Sequence, residues 1–281
     1  MFKKIYYINL EHRTDRREHV EDQLSKINFN GTTERINAAN GKNLDNLLIP
    51  TKLFTQEAIC STTRQSEINN TLTMTKGGMG LSISQKWIYE KVLTGEEDYV
   101  LIVEDDITFA DNFMEKVTHL INKIGYFDML WLGYHTKVDT KRDRYVDTPL
   151  KIWGLFGYII NKKAAKELVD MFPITKQLDT EIPRVFPKLK VYAVKQNNIL
   201  ISSPKSEEST QFGSDIQFYR EDFMDDLDEA KNNPTCNIIM TSMLLIIIVL
   251  YLKKIINNKI FMFMIGVYVI LFMLNYSKEI N

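Results

Sequence analysis

Two cysteines in 281 residues, Cys60 and Cys236, are too few and too differently placed for a disulfide framework, and a reducing compartment is compatible with such a chain. Neither sign of charge is in surplus. With 35 Lys+Arg against 36 Asp+Glu, a general nucleic-acid binder is disfavoured, because such proteins need a basic field. No glycine-rich loop is present to cradle phosphates, and the first apolar run ends in Asn9-Leu10-Glu11 rather than in a nucleophilic aspartate. Both absences argue against a metal-dependent phosphohydrolase or phosphotransferase. Lys3 and Lys4 precede the apolar residues 5–8, but the run is too short for a signal peptide, lacks a small-residue cleavage site and continues into Glu11-His12-Arg13. It reads as a buried first strand.

Long apolar runs are confined to the C-terminal part. Residues 223–229 are acidic, residues 231–234 are turn-like, and apolar runs follow at 238–252 and 260–274. Each is roughly 15 residues, about 22 Å of helix against about 30 Å of bilayer hydrocarbon, and each is apolar on every side. The expected organisation is a folded domain over 1–222, an acidic linker over 223–235, and two short membrane helices within 236–276. A buried helical hairpin is the alternative. The basic connector 253–259 would sit in the cytoplasm by the positive-inside rule. A shallow hairpin entering and leaving the cytoplasmic leaflet reconciles that rule with a cytosolic domain lacking a leader.

Before residue 223, short apolar runs alternate with helix-like stretches. Strands are expected at 4–10, 35–39, 99–103, 127–132, 155–160 and 190–194, and helices at 15–27, with Asp15 as N-cap, 80–93, 112–124 and 163–171. Residues 45–73 are poorly periodic and read as a mobile excursion or an insertion. This alternation predicts an α/β fold with a mainly parallel, Rossmann-type sheet.

The run Val100-Leu101-Ile102-Val103-Glu104-Asp105-Asp106 carries the chemistry. A continuous apolar stretch reads as a fully buried strand, and ligands of open α/β sheets bind beyond the strands' carboxyl ends. Three adjacent carboxylates there repel one another unless a cation sits among them, and hard oxygen donors suit magnesium or manganese. The bland alternative is a solvated strand-to-helix turn.

The ordered segments resemble glycosyltransferase family 25, the group of lipooligosaccharide and collagen galactosyltransferases. Ile5-Tyr6-Tyr7-Ile8-Asn9-Leu10 with Arg13-Thr14-Asp15-Arg16 looks like that family's I-x-x-I-N-L strand and R-x-D-R turn, and Arg35 to Gly41 fits its R-x-x-A-x-x-G segment. Gly80 to Gln85 falls where the family has G-C-x-L-S-H. Residues 100–109 match the L-I-L-E-D-D strand, and Asp128 to Gly133 a D-x-x-x-L-G strand. Tyr158, Ile159, Ile160 and Ala165, then Pro173-Ile174, Asp179 and Val191 to Val194, follow in order, up to about Gln217. Departures are Leu81 for a cysteine, Gln85 for a histidine, and Leu155-Phe156 for a Thr-His pair.

The resemblance implies a GT-A-like fold, a UDP-sugar donor, a divalent cation, expected to be manganese, and transfer of a hexose, galactose or glucose, to a glycan, lipid-linked or hydroxylysine acceptor. Asp106 is then the metal ligand together with Glu104. Glu104 and Asp105 contact the metal, its waters or the ribose. Asn9, Arg13, Asp15 and Arg16 are candidates for the nucleotide, since arginine grips phosphate in a fork and Asn or Asp can hold ribose or base edges. Arg17 reads as a solvated helix charge. Asp179 is the candidate general base, or else an N-cap. Asp128 reads as structural, Asp215 echoes a closing S-D motif, and Trp131, Tyr134 and Trp153 read as sugar platforms or, more simply, as core. The altered residues at 85, 155 and 156 keep open an inactive sugar- or nucleotide-binding membrane protein of the same fold.

Overall fold

The computed structural model describes residues 1–44, 51–63 and 74–203. Contacts divide the chain at Gln217/Phe218, so every described residue belongs to the first of two units. The acidic linker, Asp215 and both apolar runs lie outside the described residues. Among the described residues no helix is long and apolar enough to cross a membrane.

The architecture is α/β around one eight-stranded sheet. In chain order its strands are β1 (Lys4–Asn9), β2 (Thr32–Asn37), β3 (Tyr99–Glu104), β5 (Met129–Gly133), β6 (Thr136–Arg142), β7 (Val146–Trp153), β8 (Gly157–Asn161) and β9 (Val191–Val194). A second, two-stranded ribbon pairs β4 (Thr108–Phe109) with β10 (Ile201–Ser202). The helices are α1 (Thr14–Lys26), α2 (Gln56–Thr63), α3 (Lys76–Thr94), α4 (Phe113–Ile124), α5 (Lys162–Asp170) and the single turn α6 (Leu178–Glu181).

The sheet order is β2-β1-β3-β8-β5-β9-β7-β6. Only β2–β1, β1–β3 and β5–β9 are parallel; the other four pairings are antiparallel. The expectation of a mainly parallel sheet is therefore corrected to a mixed one. Two causes are visible. β8 is inserted between β3 and β5 in the opposite direction, and a hairpin, β6–β7, follows β5 where a crossover helix would have been needed for a parallel neighbour. Apolar periodicity reports burial and is blind to strand direction. The hairpin escaped the sequence reading because β6 is an edge strand with Lys137, Asp139 and Lys141 along it. Pro149 is accommodated at an irregularity of β7, beyond the two residues that pair with β9.

Burial explains the central strands. β1, β3, β5 and β8 are covered on both faces, which is why they read as unbroken apolar runs. At the middle Trp131 of β5 stacks on Tyr158 of β8 with ring centroids 5.4 Å apart, and Phe186 meets the indole edge-on. Full burial of a side chain of this kind contributes ~1.5–3 kcal/mol. Helix α1 starts at Thr14 with Arg13 as its N-cap, so Asp15 lies in the first turn instead of capping it. Within the poorly periodic stretch, Phe54 bridges to Ile174 and precedes α2; residues 45–50 and 64–73 lie outside the described residues.

Candidate active site

The carboxyl ends of the parallel strands β1, β2 and β3 share one edge of the sheet. The register sets Ile8 beside Glu104, so the next residues, Asn9 and Asp105, emerge together. Asn9 is buried and fully engaged. Its amide donates to Asp105 Oδ2 at 2.8 Å and to the Arg13 carbonyl at 2.9 Å, and its Oδ1 accepts from Arg35 Nε at 2.9 Å. Both amide protons are thus engaged within the protein, and Asn9 holds its neighbours in place.

Arg16 projects from the first turn of α1 between two carboxylates. Its Nη1 lies 3.1 Å from Asp105 Oδ1 and 3.4 Å from Asp106 Oδ2, with all three side chains at most 14% exposed. Arg13 forks onto Asp15 at 2.9 and 3.0 Å, and this guanidinium is the main reason the Asp15 carboxyl falls to about 2. Arg17 turns outward to Glu21, as its solvated reading expected.

Glu104 leaves the strand end toward other neighbours. Burial, then the charges of Asp106 and Asp105, push its carboxyl well above the usual range, against the pull of Arg16, and Asp179 adds to the rise. Asp105 is also raised, chiefly by burial, with Arg16 and Asn9 opposing. On the far side of the triplet the ribbon β4–β10 delivers Ser203, whose hydroxyl donates to Asp106 Oδ1 at 3.0 Å. This segment can cross the strand ends because Gly133 and Gly157 have no Cβ. One built on Gly133 would lie 2.1 Å from the Ile201 carbonyl oxygen, and one on Gly157 2.7 Å from Ile201 Cδ1.

Asp179 comes from α6, remote in sequence. It accepts backbone N–H groups from Thr180 and Gly154, while burial outweighs them and raises its carboxyl. Its charge contributes, behind those of Asp106 and Asp105, to the rise of the Glu104 carboxyl. Tyr158 donates to Gln85 Oε1 at 2.6 Å and shares a hydrogen bond with Tyr89 at 2.9 Å, while the buried Gln85 Nε2 has no partner among the described residues. Leu155 and Phe156 are buried in the core. Two of the four positions that depart from the family pattern are therefore packing positions.

Asp128 sits at the start of β5, the opposite end of the sheet from the triplet, bonded to the Lys190 amide, Asn161 and Lys163; its role is structural. Trp131 and Tyr134 are core, the tyrosine donating to the Val194 carbonyl at 2.7 Å. Among the described residues no three His, Cys, Asp or Glu side chains converge as a ready metal cage. Asp105 and Asp106 share Arg16, and their other oxygens are taken by Asn9 and Ser203. Arg35 and Ser203 were not singled out from the sequence. Arg35 carried a signal, since it opens the R-x-x-A-x-x-G segment; Ser203 carried none.

The chain thus presents a mixed sheet with acidic side chains at its carboxyl edge, built on the segments described above. It belongs to glycosyltransferase family 25 (LPS biosynthesis protein), whose model matches residues 2–148. That range contains Asn9, Arg16, Arg35, Gln85 and the triplet, and excludes Asp179 and Ser203. A glycosyltransferase 25 family member of Aedes aegypti is 28% identical over 196 residues, covering 65% of this chain and 30% of that protein. The procollagen lysyl hydroxylase and glycosyltransferase of Acanthamoeba polyphaga mimivirus is 25% identical over 191 residues, covering 60% and 20%. Human procollagen galactosyltransferase 2 is 24% identical over 209 residues, covering 69% and 32%. The chain thus spans less than a third of the length of each.

Proposed function

We propose that this chain transfers a hexose, galactose or glucose, from a UDP-sugar to a hydroxyl acceptor with the help of a divalent cation. The observation that carries this reading is the Glu104-Asp105-Asp106 triplet at the carboxyl edge of the sheet, to which, among the described residues, Arg16 is ion-paired through the two aspartates. One guanidinium against three carboxylates leaves an anionic site with hard oxygen donors. Such a donor set suits manganese or magnesium, which are commonly held by one or two carboxylates plus substrate phosphates. Asp106, with Glu104 or Asp105, would hold the ion, which when bound offsets charge developing on the leaving diphosphate. Asn9 and Ser203 hold the aspartates in place, Arg13 and Arg16 supply positive charge for phosphates, and Asp179 accepts the proton of the incoming hydroxyl. Its burial favours that role, since a carboxyl raised toward neutrality is a better base.

The acceptor is proposed from the relatives' names, two of which concern procollagen: hydroxylysine or a related hydroxyl on a glycan or lipid-linked carrier. The apolar runs 238–252 and 260–274 support a membrane hairpin that keeps residues 1–222 near a membrane-bound acceptor on the cytosolic side. Protease protection of an N-terminal tag in intact vesicles would overturn that side assignment. The enzymatic reading is tested by offering a panel of UDP-sugars with manganese and following donor loss by mass spectrometry. Turnover of UDP-galactose or UDP-glucose is expected. UDP binding without any donor loss would favour the inactive binding protein instead.

A further inference from the structure

Two of the three carboxylates of the site are ion-paired to a side chain of the protein itself. Arg16 contacts Asp105 at 3.1 Å and Asp106 at 3.4 Å through the same Nη1, and the three side chains are 12, 9 and 14% exposed. Asn9 and Ser203 take the remaining oxygens, Asp105 Oδ2 and Asp106 Oδ1. Two aspartates held this close repel one another, and the guanidinium between them offsets that repulsion. A divalent cation needs those same oxygens.

We infer that Arg16 is the built-in counter-ion of Asp105 and Asp106, competing with the divalent cation for them and releasing them when a nucleotide diphosphate gives it another anionic partner. The inference rests on the metal-dependent reading above. Two facts support the exchange of partners. A guanidinium pairs with phosphate oxygens at least as well as with carboxylate, often through two parallel hydrogen bonds. Arg16 also lies in the first turn of α1, a helix of 13 residues whose amino end opens on the same edge of the sheet, and anions are favoured at such an end. Cation and nucleotide would then bind as a coupled pair, each weak alone. Binding couplings of this kind usually amount to about 5–150-fold.

The test is titration of the full chain with manganese chloride, with and without UDP, by calorimetry. Arg16→Gln is expected to bind manganese alone roughly tenfold more tightly than the wild type, and to lose most of the wild-type tightening on adding UDP. Arg17→Gln, the same charge change one residue away on the exposed side, should behave as wild type. Arg16→Lys keeps the charge and should keep the weak manganese affinity, which preserves a readout if the glutamine variant folds poorly. Equal manganese affinities and equal UDP effects in wild type and Arg16→Gln would overturn the inference and leave the metal reading standing. No manganese binding by any variant, with or without UDP, would overturn both.

Discussion

Asn9 Nδ2 donates to Asp105 Oδ2 at 2.8 Å, joining the carboxyl ends of the neighbouring parallel strands β1 and β3 across 96 residues of sequence. The same side chain receives Arg35 Nε from β2, so three strand ends are tied by one buried amide. Asn9→Ala removes these bonds and the one to the Arg13 carbonyl, and leaves a buried carboxylate oxygen short of a donor. The expected loss is about 2–3 kcal/mol, read as a lower urea midpoint with an unchanged slope. Asn9→Asp should be worse, because it sets a second carboxylate against Asp105.

Asp106→Asn keeps the Ser203 partner and the shape of the residue but removes a negative oxygen. Manganese-dependent transfer is expected to fall by at least ~10²-fold with the melting temperature nearly unchanged. Transfer at the wild-type rate would remove Asp106 from the centre of the site.

Asp179→Asn separates the proposed base from donor binding. Acceptor transfer should drop by about 10²–10⁴-fold, while the affinity for UDP in the presence of manganese stays as in the wild type. A parallel loss of UDP affinity would instead mark Asp179 as part of the donor site.

Asp128 provides a pH signature at the other end of the sheet. Burial alone would raise its carboxyl, but the Lys190 amide, Tyr126, Asn161 and Lys163 outweigh it and bring the value down to about 2 from 3.8. A depressed folded-state value means stability that is present above the unfolded value and lost as pH falls through the folded one. The wild type should therefore lose about 2 kcal/mol between pH 4 and 2 from this group, and Asp128→Asn should lack that component while being less stable at neutral pH. Parallel stability curves for the two proteins over that range would contradict the assignment.

Gly80→Ala reverses a familiar sign. In an unconstrained helix the change gains up to ~1 kcal/mol. Here the new Cβ would lie 2.4 Å from the Ala39 carbonyl oxygen and 2.8 Å from the Gly41 amide nitrogen, so α3 and the segment after β2 must separate. A net loss of ~1–3 kcal/mol is expected from such overpacking, measured as a lower melting temperature. An unchanged or raised value would show that the 39–41 segment yields freely.

Most element positions were legible, because burial writes itself into apolar spacing. The helix expected at 112–124 and the strand expected at 99–103 differ from α4 and β3 by one residue each. The β6–β7 hairpin was missed for the complementary reason: an edge strand exposes half its residues and Lys137, Asp139 and Lys141 carry no core signal. In the site, Asp106 and Arg16 were legible as members of recognisable local motifs. The tie of Arg35 to Asn9 and the approach of Ser203 to Asp106 were not, since each joins residues that only the sheet order brings together.

By itself the amino-acid sequence determined the class of the protein, the buried strands and the presence of a carboxylate triplet at the end of one of them. These are local properties: apolar period, turn residues and short motifs act over a few positions. Tertiary structure decided the direction of β8 and which carboxylate meets which partner. Asp105 and Asp106 ended up sharing Arg16, while Ser203, 97 positions on, donates to Asp106. Strand direction and ion pairing are set by how the sheet is assembled and by where burial makes an unpaired charge costly, and neither is encoded in any single stretch of chain.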